Sequence, residues 1–329
     1  MIYISTSADI QRPSFWLALE EWVAQKGFHD DCFFLWRTFP AAIFGRNQLI
    51  ENEIDINFCR SHGIGIYRRK SGGGCIYSDG GNIMFSMITR DAFVGVAYNK
   101  FVSHVVMMLN KLGVAASASG RNDIMVDGKK IAGTAYLGVT AKNGERRSIV
   151  HSTMLYDTTM SNMTGALRPS SDKLSSKGVA SVRQRIGLLK DYLGMSMETF
   201  MSEARRLLCH GEYVLNAEEL TEVAELEQCY LSEDFLFGKN PHYQLNRRSR
   251  IEGVGEVAIS LDMKNNVVKD VSLTGDFFAC GDLEKDVIQP LRGVRLEREE
   301  LLSALPDNLS ETITGLTKGD FVDLMLKDD

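Results

Sequence analysis

Residues 120–136 read GRNDIMVDGKKIAGTAY. Between two apolar runs stands Asp127-Gly128, the dipeptide that best supplies the two positive-φ positions of a tight hairpin turn. A two-residue turn fixes the register of the strands around it, so Val126 faces Lys129 and Met125 faces Lys130. Strand alternation then groups Lys129 with Ile124, Val126 and Ile131, and Lys130 with Asp123, Met125, Ala132 and Thr134. The first group reads as core. The second, small and polar, reads as the wall of a cleft with one ammonium group aimed into it. The plain alternative is that both lysines only keep the hairpin tip in water.

A second stretch, residues 68–82, reads RRKSGGGCIYSDGGN. Glycine runs hold phosphates when bare backbone amides converge at a helix N-terminus. Here a strand-like run follows the glycines, and neither G-K-[ST] nor G-x-G-x-x-G is present. A strand-loop-strand nest can still take an anion, because glycine lets amides approach closely. Arg68, Arg69 and Lys70 would add charge, with Arg68 and Lys70 on one side of a strand and Arg69 on the other. A solvated hairpin is the plain alternative.

The chain has 329 residues, 44% hydrophobic and 24% charged, which suits a folded protein of one large and one small domain. Its net charge of -6 speaks against general nucleic-acid binding, which needs a basic surface. The six cysteines are scattered with no C-x-x-C pair, so neither a zinc site nor a disulfide framework is expected. Without an export signal or a bilayer-length apolar run, a cytoplasmic protein with no membrane partner is expected.

Residues 13–26, PSFWLALEEWVAQK, open with proline and stop at Gly27, so they predict a helix. Strands are predicted in CFFLWR, AAIFG, GIYRRK, CIYS and NIMFSMIT, a short helix at 54–62, and an amphipathic helix over 97–112. Residues 250–278 alternate as strands around MKNNV, and the segment FGKNPHYQLNRRSR is the best domain boundary. The class is α+β, with mixed rather than alternating βα order.

Four segments in this order, RRKSGGGCIYSDGGN, GRNDIMVDGKKIAGTAY, HSTMLYD and DKLSSKGVASVRQRI, resemble the lipoate-protein ligases. SLTGDFF at 272–278 resembles the small C-terminal domain of the long members. The resemblance implies a catalytic domain over 1–240 of the biotin-ligase and class-II synthetase-like mixed-sheet type. A small α+β accessory domain over 246–329 would follow. It implies that lipoate is joined to ATP as lipoyl-AMP and then passed to a lysine. The acceptors would be lipoyl domains of 2-oxoacid dehydrogenase complexes or the glycine cleavage H protein.

By match of position, Lys130 is the essential lysine, and Arg69, Gly74, Cys75, Ile76 and Tyr77 contact the nucleotide. Ser71, Gly73, Asn82, Asp123, Thr134 and His151 complete the expected ligand-binding set. His151 would lie near the lipoyl group or be an ordinary sheet histidine. Mg2+ is expected with ATP, with Asp123 as a ligand or near neighbour. Cys75 stands where alanine is common and Ser78 where histidine is expected, which bears on pocket shape.

Residues 168–190 hold six basic residues against one acid, as suits a lid or an acidic acceptor. Three rivals stay open: a cysteine acyltransferase of the same fold using Cys75, a biotin ligase, and a non-catalytic module that binds lipoyl-AMP.

Overall fold

The computed structural model describes residues 1–6, 10–48, 50–119, 123–168, 186–237, 245–264 and 266–327. The chain folds into two compact units: Met1–Phe44, Ile50–Arg69 and Cys75–Leu236 form the larger, and Gly45–Leu49, Lys70–Gly74 and Phe237–Asp329 the smaller.

In the larger unit the chain runs β1 (Ile2–Ser5), β2 (Ile10–Gln11), α1 (Pro13–Lys26), β3 (Cys32–Thr38), β4 (Ala41–Phe44), α2 (Ile50–Glu53), α3 (Ile56–Ser61) and β5 (Gly65–Arg68). It continues through β6 (Ile76–Ser78), β7 (Asn82–Thr89), α4 (Val94–Lys111), β8 (Ala116–Ser119), β9 (Asp123–Val126), β10 (Lys129–Thr140) and β11 (Arg146–Leu155). Then come α5 (Met160–Ala166), α6 (Met197–Leu208), β12 (Gly211–Val214) and α7 (Ala217–Leu231). The main sheet has the order β12-β1-β3-β7-β11-β10-β9-β8, with β2 beside β3. Pairing is parallel from β12 to β3 and antiparallel from β3 to β8, so the sheet is mixed. A small sheet β5-β4-β6 stands apart from it.

The helix predicted over 13–26 is α1, with Pro13 at its first turn and Gly27 at φ 75° closing it, the left-handed cap that glycine adopts without strain. Its apolar side buries Trp16, Leu17, Trp22 and Val23 against Phe34, Trp36, Met84, Ile88 and Ile149. Helices α4 and α6 cover the opposite face, where Phe101, Val105, Met108 and Phe200 meet Phe33, Ile83, Phe85, Met87, Val150 and Met154. The run NIMFSMIT is therefore buried on both faces, as a central strand is.

Three carboxylates of α7 hold α1 in place. Lys26 Nζ donates to Glu219 at 2.9 Å, Trp22 Nε1 to Glu222 at 2.8 Å, and Arg12 grips Glu227 at 2.6 and 2.8 Å. The Ser14 hydroxyl adds a third donor to Glu227 at 2.6 Å.

The smaller unit carries the antiparallel sheet of β13 (Leu245–Ile251), β14 (Gly255–Lys264) and β15 (Val267–Gly275). Its core gathers Val257, Ile259, Leu261, Leu273 and Phe277 with Leu291, Leu301, Phe321 and Val322. Among the described residues no helix is long and apolar enough to cross a membrane.

The turn that leads into β7 is tight. Asp79 accepts the amides of Gly81 at 2.9 Å and Thr159 at 3.0 Å, and Asp157 N–H donates to the Gly81 carbonyl at 2.7 Å. A Cβ on Gly81 would stand 1.9 Å from the Asp157 carbonyl oxygen. Backbone must then move against backbone, so Gly81→Ala is expected to cost about 2–3 kcal/mol, seen as a lower urea midpoint at unchanged slope. A midpoint equal to that of the unsubstituted chain would refute this close approach.

Candidate active site

The hairpin around Asp127-Gly128 forms as its turn chemistry requires, with φ of 49° and 73° at the two central residues. Val126 pairs with Lys129 and Met125 with Lys130. Past Lys130 the ladder shifts: Ala132 pairs with Ile124 and Gly133 with Asp123, leaving Ile131 as the extra residue of a bulge. Ile131 and Ala132 are both fully buried in the core under α4. This corrects the expected grouping, because Gly133 and not Ala132 shares the face of Lys130.

Thr134 is also displaced from that face. Its Oγ1 bonds the Tyr98 hydroxyl of α4, on the opposite side of the sheet from Lys130. Lys129, at the end of the hairpin, is exposed, although its group-mates Ile124, Val126 and Ile131 are core. The Lys130 side chain is 38% exposed, and its Nζ lies 2.6 Å from Asp123 Oδ1.

On the α1 side of the sheet, register places Ser86 of β7 beside His151 of β11, and His151 beside Ala135 of β10. Glu20 of α1 reaches down between them. His151 Nδ1 lies 2.9 and 3.0 Å from the two Glu20 oxygens, the Ser86 hydroxyl bonds Glu20, and Trp36 Nε1 donates to Ser86 Oγ at 2.8 Å. All four residues are buried. Sequence reasoning singled out His151 but missed Glu20, Ser86 and Trp36. The signal was available: Glu20 is a carboxylate at helical spacing among Trp16, Val23 and Ala24, and a charge on an apolar face needs a partner.

Arg69 is buried and donates to the Ile43 carbonyl at 3.1 Å. Burial draws its guanidinium down to about 10, which still leaves a cation at neutral pH. Arg68, by contrast, stacks on the Phe44 ring at 4.4 Å and donates to the Leu236 carbonyl at 3.1 Å. Tyr77 is buried, and desolvation raises its phenol to about 12. Asn82 donates to the Tyr77 carbonyl at 3.1 Å, while its Oδ1 is buried with no partner among the described residues. Ile76 packs beside the α1 cluster. Cys75 lies at the margin of the cluster around β4 and α3, and burial pushes its thiol well above the ordinary range.

Ser71, Gly73 and Gly74 belong to the smaller unit. There the Ser71 carbonyl accepts the Arg46 amide at 2.9 Å, and the Gly73 amide donates to the Phe277 carbonyl at 3.4 Å. A Cβ on Gly72 would meet that same carbonyl oxygen at 2.6 Å. The glycine run thus lies against the backbone of the Gly275–Phe278 segment, which accounts for at least one glycine by close approach. Of the basic segment 168–190, residues 169–185 lie outside the described residues. Its described ends are tied down, with Arg168 N–H on the Glu53 carbonyl at 2.8 Å and Gly187 N–H on the Lys130 carbonyl at 2.9 Å. No cluster of three or more His, Cys, Asp or Glu side chains suited to a metal occurs among the described residues.

Removing the Glu20 carboxylate strands two buried groups at once, the His151 ring and the Ser86 hydroxyl. Glu20→Ala is expected to lower stability by about 2–4 kcal/mol, and Glu20→Gln, which keeps an acceptor, by distinctly less. Equal urea midpoints for the two variants would contradict the network.

The profile of the lipoyl protein ligase A/B catalytic domain matches residues 12–208, and that of the bacterial lipoate protein ligase C-terminus matches residues 240–325. A lipoate-protein ligase of Bacillus subtilis is 32% identical over 340 residues, covering 99% of this chain and 100% of that protein. In fold, the chain is similar to P. falciparum LipL1 in complex with lipoate, with TM-score 0.75, 17% identity, and 99% and 98% of the two chains covered. It is also similar to a lipoate-protein ligase A bound with ATP, with TM-score 0.60, 22% identity, and 72% and 97% covered. These two likenesses establish the mixed-sheet α+β fold. With both profiles matched in order and a relative aligned end to end, this chain belongs to the lipoate-protein ligase family.

Proposed function

We propose that this chain uses ATP to activate lipoate as lipoyl-AMP and then transfers the lipoyl group to a lysine of a lipoyl domain. The observation that carries the reading is Lys130, fixed by the Asp127-Gly128 turn on the same sheet face as a buried polar network and held 2.6 Å from Asp123. The family supplies the reaction class. Lipoate is named with one solved structure of this fold and ATP with a solved lipoate-protein ligase A.

The chemistry explains the cation. In the first step a carboxylate oxygen attacks the α-phosphorus of ATP, the Pα–O bond to pyrophosphate breaks, and a mixed anhydride forms. Two unit anions about 4 Å apart near a protein surface repel by roughly 4 kcal/mol. An ammonium has three donors. Paired in charge with Asp123, Lys130 would offer these donors to the carboxylate and to a phosphate oxygen, where charge builds in the transition state. Arg69, a buried cation, gains from any anion brought near it, and the unpartnered Oδ1 of Asn82 would accept a ligand N–H or O–H.

In the second step the acceptor amine attacks the anhydride carbonyl carbon, AMP leaves with the electron pair, and the amine loses a proton. Mg2+ would neutralise the departing pyrophosphate. Without an acidic cluster among the described residues, it would be held mainly by phosphate oxygens, with Asp123 a carboxylate beside Lys130. Residues 1–240 would carry both steps, with 246–329 as an accessory domain.

The acyl chain needs a dry slot, and eight carbons at about 0.8 kcal/mol each could contribute roughly 6 kcal/mol before ordering costs. Of NIMFSMI only alternate residues face α1. Met84 and Ile88 do, with Trp36 and Ile76 nearby, whereas Ile83, Phe85 and Met87 fill the other core. The slot is accordingly assigned to the α1 side, over the Glu20 network.

A thioester route through Cys75 is disfavoured because burial holds its thiol protonated, with no base among its hydrogen-bond partners. An apo lipoyl domain incubated with the chain, ATP and lipoate is expected to gain one lipoyl mass. The gain should vanish without ATP or with Lys130→Ala. Transfer without ATP would favour the acyltransferase, and no transfer or pyrophosphate release at all would favour the non-catalytic module. Cys75→Ser is expected to keep activity within about threefold, where a nucleophile would lose orders of magnitude; the transfer rate by mass spectrometry separates the two.

A further inference from the structure

Gly133 has no side chain, and the space where one would stand is taken by Lys130. A Cβ on Gly133 would lie 2.9 Å from Lys130 Nζ and 3.0 Å from Cε, with Asp123 Oδ1 next at 4.0 Å. Ordinary contact begins near 3.4 Å. Gly133 is not among the glycines of positive φ, so no backbone conformation demands glycine there. Glycine inside a strand weakens it and calls for a reason of space. The reason here is the ammonium tip.

We propose that Gly133 is the positioning residue of Lys130, the bare floor across which the side chain is laid toward Asp123. The inference rests on the adenylation reading above. Three features of the hairpin make it. The bulge at Ile131 brings Gly133 opposite Asp123, a place that regular pairing would give to Ala132. Ile186 bridges to Lys130 and Gly187 N–H donates to its carbonyl at 2.9 Å, so the Lys130 backbone is stitched from its outer side. Little slack remains at that stitch. A Cβ on Gly187 would already meet Ile131 Cγ2 and the Tyr192 hydroxyl at 3.2 Å and Lys129 Cβ at 3.3 Å. With the backbone held, a methyl group at position 133 is accommodated by the lysine tip, which must shift by about half an ångström to one ångström. Misplacement on that scale is enough to cost about 100-fold in rate.

The test uses the full chain in four forms: unsubstituted, Gly133→Ala, Lys130→Ala and the double variant. The readout is lipoate-dependent pyrophosphate release from ATP, together with thermal melting. For Gly133→Ala, kcat is expected to fall about 100-fold while KM for lipoate stays within about threefold, the signature of a loss confined to the transition state. Its melting temperature should hold or rise, because alanine reduces the freedom of the unfolded chain. In the Lys130→Ala background the same change should alter the residual rate less than about twofold, since a residue acting only through the lysine has nothing left to act on.

A kcat within about threefold of the unsubstituted chain would overturn the proposal. So would equal losses in both backgrounds, or a lost melting transition, because the contact is with a flexible tip and the fold should survive. If the unsubstituted chain releases no pyrophosphate with lipoate, the adenylation reading fails first and the proposal falls with it. In that case all four forms are alike, a pattern distinct from failure of Gly133 alone.

Discussion

One residue too many in β10 decides which side of the sheet every later residue of that strand stands on. Because side chains alternate with a period of two, a single extra residue exchanges the faces. The bulge at Ile131 sends Ile131 and Ala132 together into the core under α4 and keeps Lys130, Gly133 and Asp123 on the side of α1. From there the long β10–β11 ladder, paired from Ala132 to Thr140, carries the assignment onward. His151 beside Ala135 falls on the α1 side, and Thr134 beside Ser152 on the α4 side.

The α1 side then carries a cost that ordinary cores avoid. A carboxylate taken out of water is worth several kcal/mol of lost solvation unless hydrogen bonds replace its hydration. Glu20 finds those replacements in His151 and Ser86, the latter oriented by Trp36. Such an arrangement works only if α1 cannot slide or rotate. The α7 carboxylates supply that constraint, meeting α1 at its first, middle and last turns through Ser14, Trp22 and Lys26. The capping box of Asn216 and Glu219 in turn fixes the start of α7, so Glu219 serves its own helix and the neighbouring one together. Polar contacts here act on geometry more than on net stability, as exposed and half-exposed ion pairs add little.

Local chemistry was readable from sequence wherever it is local. Pro13 and Gly27 bound α1, and Asp127-Gly128 turns the hairpin in the register that turn demands. The placing of Lys129 and Lys130 opposite Val126 and Met125 followed from the turn alone, since the bulge begins only after Lys130. The bulge itself left no mark, because Ile131 and Ala132 are both apolar and either could have been core. Thr134 was therefore assigned to the wrong face. Glu20 announced itself as a misplaced charge, but its partners come from three other elements, and no spacing rule joins positions 20, 36, 86 and 151. The glycine run was read as a cradle for anions. Its packing against the Gly275–Phe278 backbone depends on residues two hundred positions away, which periodicity cannot reach.

That packing bears on how the molecule can be dissected. Residues 70–74 are grouped with the C-terminal segment, although their neighbours Arg69 and Cys75 are grouped with the N-terminal one. A cut near residue 237 divides the chain neatly on paper, yet it strips two internal loops, 45–49 and 70–74, of the surface they rest on. The boundary between the two units is thus not a single point on the sequence, and a fragment ending at that cut keeps two short stretches that belong with the other piece.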